Sequence, residues 1–238
     1  MSELDDPAKV LVVTAHPDDV DFGAAGSVAT WTERGIDVTY CIVTDGAAGS
    51  ADPTIDLGRL VEVRQAEQRA AAAEVGVTDV HFLGYPDGAL EVSAGLRRDI
   101  CRVIRLVRPE RVVGQSPDRN WDRIRASHPD HLAAGEATLR AVYPDARNPY
   151  SHPELLAAGL EPHVVEEVWL MASPRSAVGV DITSTVDRKL AALRCHRSQI
   201  ADPAQLEDLI RLWTASTAES LGMPEGRLAE AFQVVDTR

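Results

Sequence analysis

The chain has little of what several large classes of protein require. It has 24 Lys and Arg against 37 Asp and Glu, a formal net charge of −13. It therefore lacks the excess of cations that neutralises phosphates in sequence-independent nucleic-acid binding, or that docks a protein on an anionic membrane. No apolar stretch approaches the length of a transmembrane helix. The acidic start, Met1–Asp6, does not have the pattern of a signal peptide.

Cysteine is also scarce, with Cys41, Cys101 and Cys195 widely spaced along 238 residues. An odd, scattered set of this kind favours buried, reduced thiols over a disulfide framework. Together with the missing leader and membrane segment, it predicts a cytoplasmic protein.

Two motifs that would point to common activities are missing as well. The first predicted strand is followed by His-Pro-Asp-Asp where a dinucleotide-binding turn requires Gly-x-Gly-x-x-Gly, so we do not expect NAD binding. No Gly-x-Ser-x-Gly elbow occurs, which excludes a serine hydrolase of the α/β-hydrolase type.

Apolar strand-like runs alternate with helical patterns, and the alternation predicts a Rossmann-like α/β fold: a three-layer α/β/α arrangement with a mostly parallel sheet. We expect a single domain over residues 1–238, with C-terminal helices from about residue 184 packed on the core. The predicted strands are Val10–Thr14, Val38–Thr44, Val80–Leu83, Arg111–Gln115, Val164–Met171 and Val178–Ile182. The predicted helices are Gly23–Arg34, Leu57–Val75, Ala94–Val107, one from His131 through Ala141, Val186–Ser198 and Leu206–Leu221, with a Pro-rich loop at Tyr143–Pro162.

A histidine and two adjacent carboxylates follow the first strand, in the sequence Ala15-His16-Pro17-Asp18-Asp19. The strand itself, Val10–Thr14, is an apolar run of the kind that forms a buried parallel strand. Ionisable residues just past the carboxyl end of such a strand lie where open α/β sheets bind ligands. Both the location and the residue types therefore indicate a functional site.

A second cluster, His128-Pro129-Asp130-His131, lies more than a hundred residues later. A catalytic zinc ion takes three protein ligands from His and Asp or Glu and keeps one open position. His16 and Asp19, three residues apart across a turn, can converge on one ion, and His131 completes the set. Asp18 then stays free to take a proton from water, and His128, predicted to lie one helical turn before His131, can stabilise an oxyanion or protonate a leaving amine.

Two alternatives remain at this point. Asp18 and Asp19 can be an N-terminal helix cap, with His128 and His131 on the surface. Two histidines and one carboxylate also suit Fe²⁺ as well as Zn²⁺.

With these motifs the chain resembles the zinc-dependent N-acetylglucosaminyl deacetylases, a family that includes the N-acetylglucosaminyl-phosphatidylinositol deacetylases and the bacterial LmbE-like proteins. Ala-His-Pro-Asp-Asp and His-Pro-Asp-His are its most specific motifs, and both are present without a gap. The similarity extends to the Gly-rich loop Thr44–Ser50, to Gly84–Gly88 and to the stretch Lys189–Gln199. The last of these contains His196, which we expect to pack or hydrogen-bond near the pocket.

The resemblance implies zinc on His16, Asp19 and His131, Asp18 as general base and His128 as acid or oxyanion-stabilising group. It also implies that Asp130 orients a histidine of the site, and that Arg64 and Asp87 contact sugar hydroxyls. For Arg64, a surface ion pair with Glu67 or Gln68 is the alternative.

The expected activity is removal of acetyl from an N-acetylglucosamine-type amide on a small-molecule amino-sugar conjugate. An amidase for a glucosaminyl-thiol conjugate and a non-catalytic sugar-binding protein remain open, as does a homo-oligomer. Two departures from relatives bear on the substrate. Val20 replaces a common Glu, and Arg125-Ala126-Ser127 replaces residues typical of mycothiol-pathway relatives. We expect the segment Trp121–Arg125 to shape the pocket rim.

Overall fold

The computed structural model describes residues 6–238, and its strands form one seven-stranded sheet. In chain order they are β1 (Lys9–Thr14), β2 (Asp37–Thr44), β3 (Asp79–Tyr85), β4 (Arg111–Gln115), β5 (Glu167–Met171), β6 (Val178–Asp181) and β7 (Ala229–Asp236). Across the sheet the order is β3-β2-β1-β4-β5-β7-β6. Strands β1 to β5 are parallel, and β7 runs antiparallel to β5 and β6. The predicted Rossmann-like, mostly parallel sheet is confirmed.

Eight α-helices occur within the described residues: α1 (Asp19–Gly23), α2 (Ala25–Glu33), α3 (Leu57–Glu74), α4 (Ala94–Val107), α5 (Pro129–Arg140), α6 (Pro153–Ala157), α7 (Val186–Cys195) and α8 (Pro203–Ser220). A 3₁₀ turn, Ile124–Ser127, precedes α5, and a π-helical segment, Ala141–Ala146, follows it. Side chains of α2, α3 and α7 pack on one face of the sheet, and those of α4 and α5 pack on the other. The three-layer arrangement is therefore present.

Strand β1 shows why the sheet lies between two helical layers. Val10 and Val12 belong to the cluster on the α2–α3 side, whereas Leu11 and Val13 belong to the cluster on the α4–α5 side. All four side chains are at most 1% exposed. Because each contributes roughly 1.5–3 kcal/mol on burial, the central strand holds both layers and fixes the position of the turn that follows it.

The structure corrects several predicted elements. The helix predicted over Gly23–Arg34 is α2 and begins at Ala25, and the short helix α1 that precedes it was not predicted. Helix α5 begins at Pro129, before His131, and the predicted loop Tyr143–Pro162 contains α6.

Strand β7 was not predicted at all. Its residue Glu230 is 5% exposed and points into the core, where it accepts from the Ser27 N–H at 2.7 Å and from Lys189 Nζ at 2.6 Å. A buried charge that is paired in this way interrupts the apolar alternation that would have signalled a strand.

Some predictions extend beyond what the structure tests. Residues 1–5, on which the absence of a signal peptide was argued, lie outside the described part of the chain. The single domain over residues 1–238 stays a prediction. Within residues 6–238, no helix combines the length and the apolar character that crossing a membrane requires.

Candidate metal centre

The two predicted clusters meet at the carboxyl ends of β1 and β4, the neighbouring central strands where the strand order reverses. His16 follows β1, and His131 lies in the first turn of α5, after the segment that leaves β4. The side chain of Gln115, the last residue of β4, accepts a hydrogen bond from the Ala15 N–H at 2.9 Å and so ties the two strand ends together. Parallel α/β sheets bind their ligands at such a switch point.

Three side-chain groups converge at this point with nearly equal spacing. His131 Nε2 lies 3.0 Å from Asp19 Oδ1, His16 Nδ1 lies 3.2 Å from Asp19 Oδ2, and the two histidine nitrogens are 3.2 Å apart. Two ligands that each lie ~2.1 Å from a tetrahedral zinc ion are ~3.4 Å apart. His16, Asp19 and His131 therefore have both the chemistry and the spacing to hold a zinc ion.

His128 and two further carboxylates border the same cluster. Nitrogens of His16, His128 and His131 lie within 4.8 Å of one another, as do potential ligand atoms of His16, Asp87 and Asp130. The shorter distances favour Asp19 over His128 as the third group beside His16 and His131.

Hydrogen bonds to the far sides of the two imidazoles fix which nitrogen is free. His16 Nε2 faces Asp87 Oδ1 at 3.0 Å and Asp130 Oδ2 at 3.2 Å, so in the singly protonated ring, the form that binds a metal, Nε2 carries the proton and Nδ1 is the lone-pair donor. His131 Nδ1 donates to the Ala126 carbonyl at 3.4 Å, which leaves Nε2 free. Histidines that bind metals are commonly oriented by such partners.

Asp130 is itself held firmly, because its carboxylate accepts from the Gly88 N–H at 2.7 Å and the Leu90 N–H at 3.2 Å. It is 1% exposed. The loop after β3 and the start of α5 are thus joined through the carboxylate that orients His16.

The electrostatics of the cluster favour a cation. Burial lowers the pKa of His16, but hydrogen bonds to Asp19 and Asp87 and their charges outweigh burial and raise it to about 11. The pKa of His131 is also raised, because the charge of Asp19 outweighs burial. The two histidines in turn hold the pKa of Asp19 well below its usual range despite its burial. A site that stabilises positive charge this strongly suits a divalent ion.

Asp18 lies beside the three converging groups but points elsewhere. Its φ of 94° is in the left-handed region, and its carboxylate contacts Arg64, whereas that of Asp19 contacts His16 and His131. Its N–H donates to Gln68 Oε1 at 2.7 Å, and Oδ2 accepts from Arg64 Nη2 at 3.1 Å. Burial and the charge of Asp19 raise the pKa of Asp18 to about 7, against the opposing charges of Arg64, His196 and His16. A carboxylate with that pKa is suited to exchange protons near neutral pH.

The structure corrects the placement of His128. It was predicted to lie one helical turn before His131 on a helix face, but it is the exposed N-cap of α5 with a non-helical backbone. Its Nδ1 accepts from the Asp130 N–H at 3.2 Å, so the proton of the neutral ring sits on Nε2. Burial and the neighbouring His16 and His131 lower its pKa. The ring centroid lies 5.0 Å from that of His16, close enough for both to face one substrate.

Arg64 is buried, so the alternative of a surface ion pair with Glu67 or Gln68 is wrong. Its side chain is 4% exposed, with Nη1 donating to the Gly46 carbonyl at 2.8 Å and Nη2 to the Pro17 carbonyl at 2.7 Å. Asp87 accepts from the Ala48 N–H at 3.0 Å in addition to facing His16. Both residues therefore brace the loops of the site, and their contact with sugar hydroxyls stays a prediction.

A buried chain of polar groups behind Asp18 was missed by the sequence analysis. Gln68 Nε2 donates to Asp21 Oδ2 at 2.9 Å, and His196 Nε2 lies 2.8 Å from the same oxygen. Gln68, Asp21 and His196 are each 0% exposed. The expectation that His196 hydrogen-bonds near the pocket is confirmed, but nothing in the sequence indicated that Asp21 and Gln68 connect it to Asp18.

Two other histidines, His152 and His163, are partly buried and lie away from the cluster of His16, Asp19 and His131. His152 Nε2 lies 3.4 Å from Asp145, and His163 Nε2 donates to the Pro109 carbonyl at 2.7 Å.

A cavity of about 680 Å³ opens from the metal cluster, the name used here for the side chains of His16, Asp19 and His131. Asp19 and His131 line one end, and Trp213 and Thr217 of α8 line another part of the wall. A volume of this size is typical of small-molecule sites, and the position of the cavity allows a ligand to reach the cluster.

The fold and the site define a class of protein: a Rossmann-like α/β protein whose His–Asp cluster, at the carboxyl ends of central strands, suits metal-assisted hydrolysis. The chain belongs to the PIG-L family, because the model of that family, described as GlcNAc-PI de-N-acetylase, matches residues 11–142.

Relatives of known name agree with this assignment. The chain is 33% identical to a diacetylchitobiose deacetylase of Thermococcus kodakarensis over 210 residues, which is 88% of this chain and 75% of the relative. It is 31% identical to a protein of Bacillus anthracis named "probable N-acetyl-alpha-D-glucosaminyl L-malate deacetylase 2", with 81% of each chain covered. The solved N,N'-diacetylchitobiose deacetylase of Pyrococcus horikoshii superposes with a TM-score of 0.89 at 29% identity, over 98% of this chain and 85% of that one.

Proposed function

We propose that this protein is a zinc-dependent N-deacetylase that removes acetyl from an N-acetylglucosamine-type sugar or glycoconjugate, releasing acetate and a free amine. The observation that carries the proposal is the convergence of His16 Nδ1, Asp19 and His131 Nε2, at spacings of 3.0–3.2 Å, beside the separate carboxylate of Asp18. The names of the relatives support the choice of an acetylated amino sugar.

In this proposal His16, Asp19 and His131 hold the zinc ion. When bound, zinc lowers the pKa of water towards ~7 and polarises the amide carbonyl. The same donor set also suits Fe²⁺, and zinc is preferred because the adjacent carboxylate is arranged for hydrolysis. Elemental analysis of protein purified without added metal distinguishes the two.

Asp18 takes the proton from the water that attacks the acetyl carbonyl. Burial raises the pKa of Asp18 above that of an ordinary carboxylate, which strengthens it as a base for this proton. Because Nδ1 of His128 accepts from the Asp130 N–H, the neutral ring carries its proton on Nε2, and we assign this N–H to stabilise the oxyanion. The proton for the leaving nitrogen then comes from Asp18, which holds the one taken from water, or from His128 in its imidazolium form. The C–N bond breaks as the nitrogen is protonated, so the products are acetate and an amine.

Asp130 and Asp87 orient His16 through its Nε2, and Arg64 holds both the turn before α1 and the carboxylate of Asp18. In the proposed reaction these residues keep the general base and the metal-holding groups in place.

The test compares Asp18→Asn with Asp208→Asn, an exposed position on α8 that serves as the matched control. Acetate release from N-acetylglucosamine and from diacetylchitobiose is measured together with the metal content of each protein. We expect Asp18→Asn to lose roughly 10²–10⁴-fold in kcat while retaining metal, since general-base catalysis contributes about that much. Wild-type turnover in Asp18→Asn would refute the assignment of the base.

The same assay separates the alternatives. Amine release from a glucosaminyl-thiol conjugate, with none from the acetylated sugars, would favour the amidase. Binding of sugar by metal-loaded protein without acetate release would favour a non-catalytic protein.

The three cysteines are unpaired, which supports our further proposal of a cytoplasmic location.

A further inference from the structure

Helix α1 carries both carboxylates of the proposed chemistry, but its own structure does little to hold it in place. Asp18 is its N-cap and Asp19 the first of its five residues, and a helix this short is not stable by its internal hydrogen bonds. Its one fully buried apolar side chain is Val20. At Ala24, with φ of −146°, the backbone is not helical, so α1 is not continuous with α2. The orientation of α1 must therefore come from other elements.

Two basic side chains of α7 contact α1. Lys189 Nζ donates to the Phe22 carbonyl, near the end of α1, at 2.6 Å. His196, the C-cap of α7, places Nε2 2.8 Å from Asp21 Oδ2. Lys189 and His196 are seven residues apart, so they lie on one side of α7 and two turns from each other. Both are fully buried, so water does not compete for these contacts, and one helix holds α1 at two points.

The contact made by Lys189 extends to the start of α2. Lys189 Nζ also donates to Glu230 Oε1 at 2.6 Å. The Glu230 carboxylate in turn accepts from the N–H groups of Gly26 and Ser27, at 3.1 and 2.7 Å. Both N–H groups belong to the first turn of α2, where a carboxylate is favourable. Lys189 and Glu230 therefore join α1 to α2 across the break at Ala24.

The side chain of His196 acts through Asp21. Within residues 6–238, His196 Nδ1 makes no hydrogen bond, and the ring forms no ion pair with Asp18 or Asp19. Asp21 lies two residues after Asp19 in α1. Its Oδ2 also accepts from Gln68, whose Oε1 accepts from the Asp18 N–H. A shift of Asp21 would therefore displace both carboxylates.

We propose that Lys189 and His196 are positioning residues: they fix α1, and thereby place Asp19 for the metal ion and Asp18 for proton transfer. The inference rests on the proposed deacetylase function and adds that both carboxylates depend on contacts from α7. A buried ion pair such as that of Lys189 contributes little net stability relative to apolar residues, but its hydrogen bonds fix direction. A displacement of about 1 Å at a reacting group can lower a rate a hundredfold.

The test removes the contacts of α7 with α1 one at a time. His196→Leu deletes the hydrogen bond to Asp21 at similar side-chain size, whereas His196→Gln keeps a donor that can reach the same oxygen. The double variant Lys189→Met/Glu230→Gln deletes the other contact without leaving a buried charge unpaired. Ile210→Ala is the matched control, because Ile210 is buried in the apolar cluster between α7 and α8. Its loss destabilises the protein but removes no polar contact of α1.

Three quantities are measured for each protein. The first is the Kd for Zn²⁺, and the second is kcat for acetate release from N-acetylglucosamine at saturating zinc. The third is hydrogen exchange in metal-free protein at the amides of Asp21, Phe22 and Ala24, which donate within α1 or to its N-cap. Exchange of these amides reports local opening of α1 without reference to activity.

We expect His196→Leu and the double variant to raise the Kd for zinc and to lower kcat, each about ten- to a hundredfold. Losses of this size follow when groups that orient metal-holding residues are removed. Exchange in α1 should become at least tenfold faster in both proteins. His196→Gln should keep all three quantities within about threefold of wild type, and Ile210→Ala should leave the Kd and kcat within the same range.

A merely structural role would give a different pattern. If His196→Leu changes the Kd and kcat no more than Ile210→Ala does, the inference is overturned. Equal losses in His196→Gln and His196→Leu also contradict it, since the hydrogen bond to Asp21 would then not matter. If wild-type protein releases no acetate, the deacetylase proposal fails, and zinc affinity and exchange still decide the inference. Weaker zinc binding with faster exchange in α1 supports it, and unchanged values reject it.

Discussion

Replacing Gln68 with Leu tests whether the buried polar groups behind Asp18 hold the general base in position. The side chain of Gln68 is 0% exposed and connects the Asp18 N–H, at 2.7 Å, with Asp21 Oδ2, at 2.9 Å. Leu has a similar volume, so the substitution removes two hydrogen bonds and leaves little empty space.

The size of the expected loss of activity depends on the backbone strain at Asp18 that these hydrogen bonds offset. The left-handed backbone of Asp18, with φ of 94°, costs roughly 1–2 kcal/mol, and one hydrogen bond contributes about 1 kcal/mol net. Without Gln68, Arg64 still contacts the Pro17 carbonyl and Asp18 Oδ2, and the Asp18 carbonyl still accepts from the N–H groups of Asp21 and Phe22. The turn therefore persists, but the strained Asp18 backbone loses the partner of its N–H, and we expect its carboxylate to shift from its position.

We therefore expect Gln68→Leu to lower kcat for deacetylation about ten- to a hundredfold, as a misplacement of about 1 Å can do. The loss of two buried hydrogen bonds lowers the free energy of unfolding by roughly 2–4 kcal/mol, which leaves the protein folded. Metal affinity falls less than kcat, because His16, Asp19 and His131 do not contact Gln68.

The assay measures acetate release, metal content and urea unfolding for Gln68→Leu and for Gln65→Leu, a control on the same helix that makes no side-chain hydrogen bond within residues 6–238. A Gln68→Leu protein whose kcat stays within twofold of wild type would show that Asp18 keeps its position without the buried chain, and the reasoning would be wrong.

Three further outcomes are expected. Lys189→Met leaves the Glu230 carboxylate buried without its cation, and should lower the free energy of unfolding by roughly 3–5 kcal/mol in urea titrations, whereas a loss below 1 kcal/mol would show that the pair is not needed. Burial lowers the pKa of His196, but the hydrogen bond and charge of Asp21 outweigh burial and raise this pKa above the ordinary 6.5. The positive charge of His196 therefore stabilises the fold fully below about pH 6.5, and this stabilisation is lost as the pH rises through the pKa of His196 in the folded protein. The stability difference between wild type and His196→Gln should shrink from pH 6 to pH 9, and a constant difference would contradict this. Zinc at a hundredfold excess over its Kd should stabilise the protein by about 2.7 kcal/mol in thermal or urea unfolding, and this gain should disappear in Asp19→Asn; equal gains in both would place the ion elsewhere.

Sequence reasoning predicted the parts of the site that depend on residues adjacent in the chain and on the topology of the sheet. His16, Asp18 and Asp19 follow a buried strand within five residues, so their proximity is a property of one turn. His131 could be added because carboxyl ends of parallel strands meet at one edge of a sheet. The division of roles between Asp18 and Asp19 stays a prediction; the structure adds that the two carboxylates have different partners, Arg64 for Asp18 and the two histidines for Asp19.

Other features depend on contacts that no local pattern encodes. His196 and Asp21 are 175 positions apart, and only the packing of α7 against α1 and α3 brings His196 near the turn. His128 was misplaced on a helix face because a helix start cannot be read from sequence to within one or two residues. Strand β7 was missed because its buried Glu230 is matched by a lysine and a helix N-terminus from distant segments.

The sequence by itself determined the fold class and the residue types of the metal cluster. Buried strands and amphipathic helices have apolar patterns that repeat every few residues, and the His–Asp turn is a motif of four adjacent residues. Only the tertiary structure decided which nitrogen of each histidine is free, that Gln68 holds Asp18, and that Lys189 and His196 contact α1. Those properties are set by side-chain contacts between segments far apart in the chain, and such contacts exist only once the layers have packed.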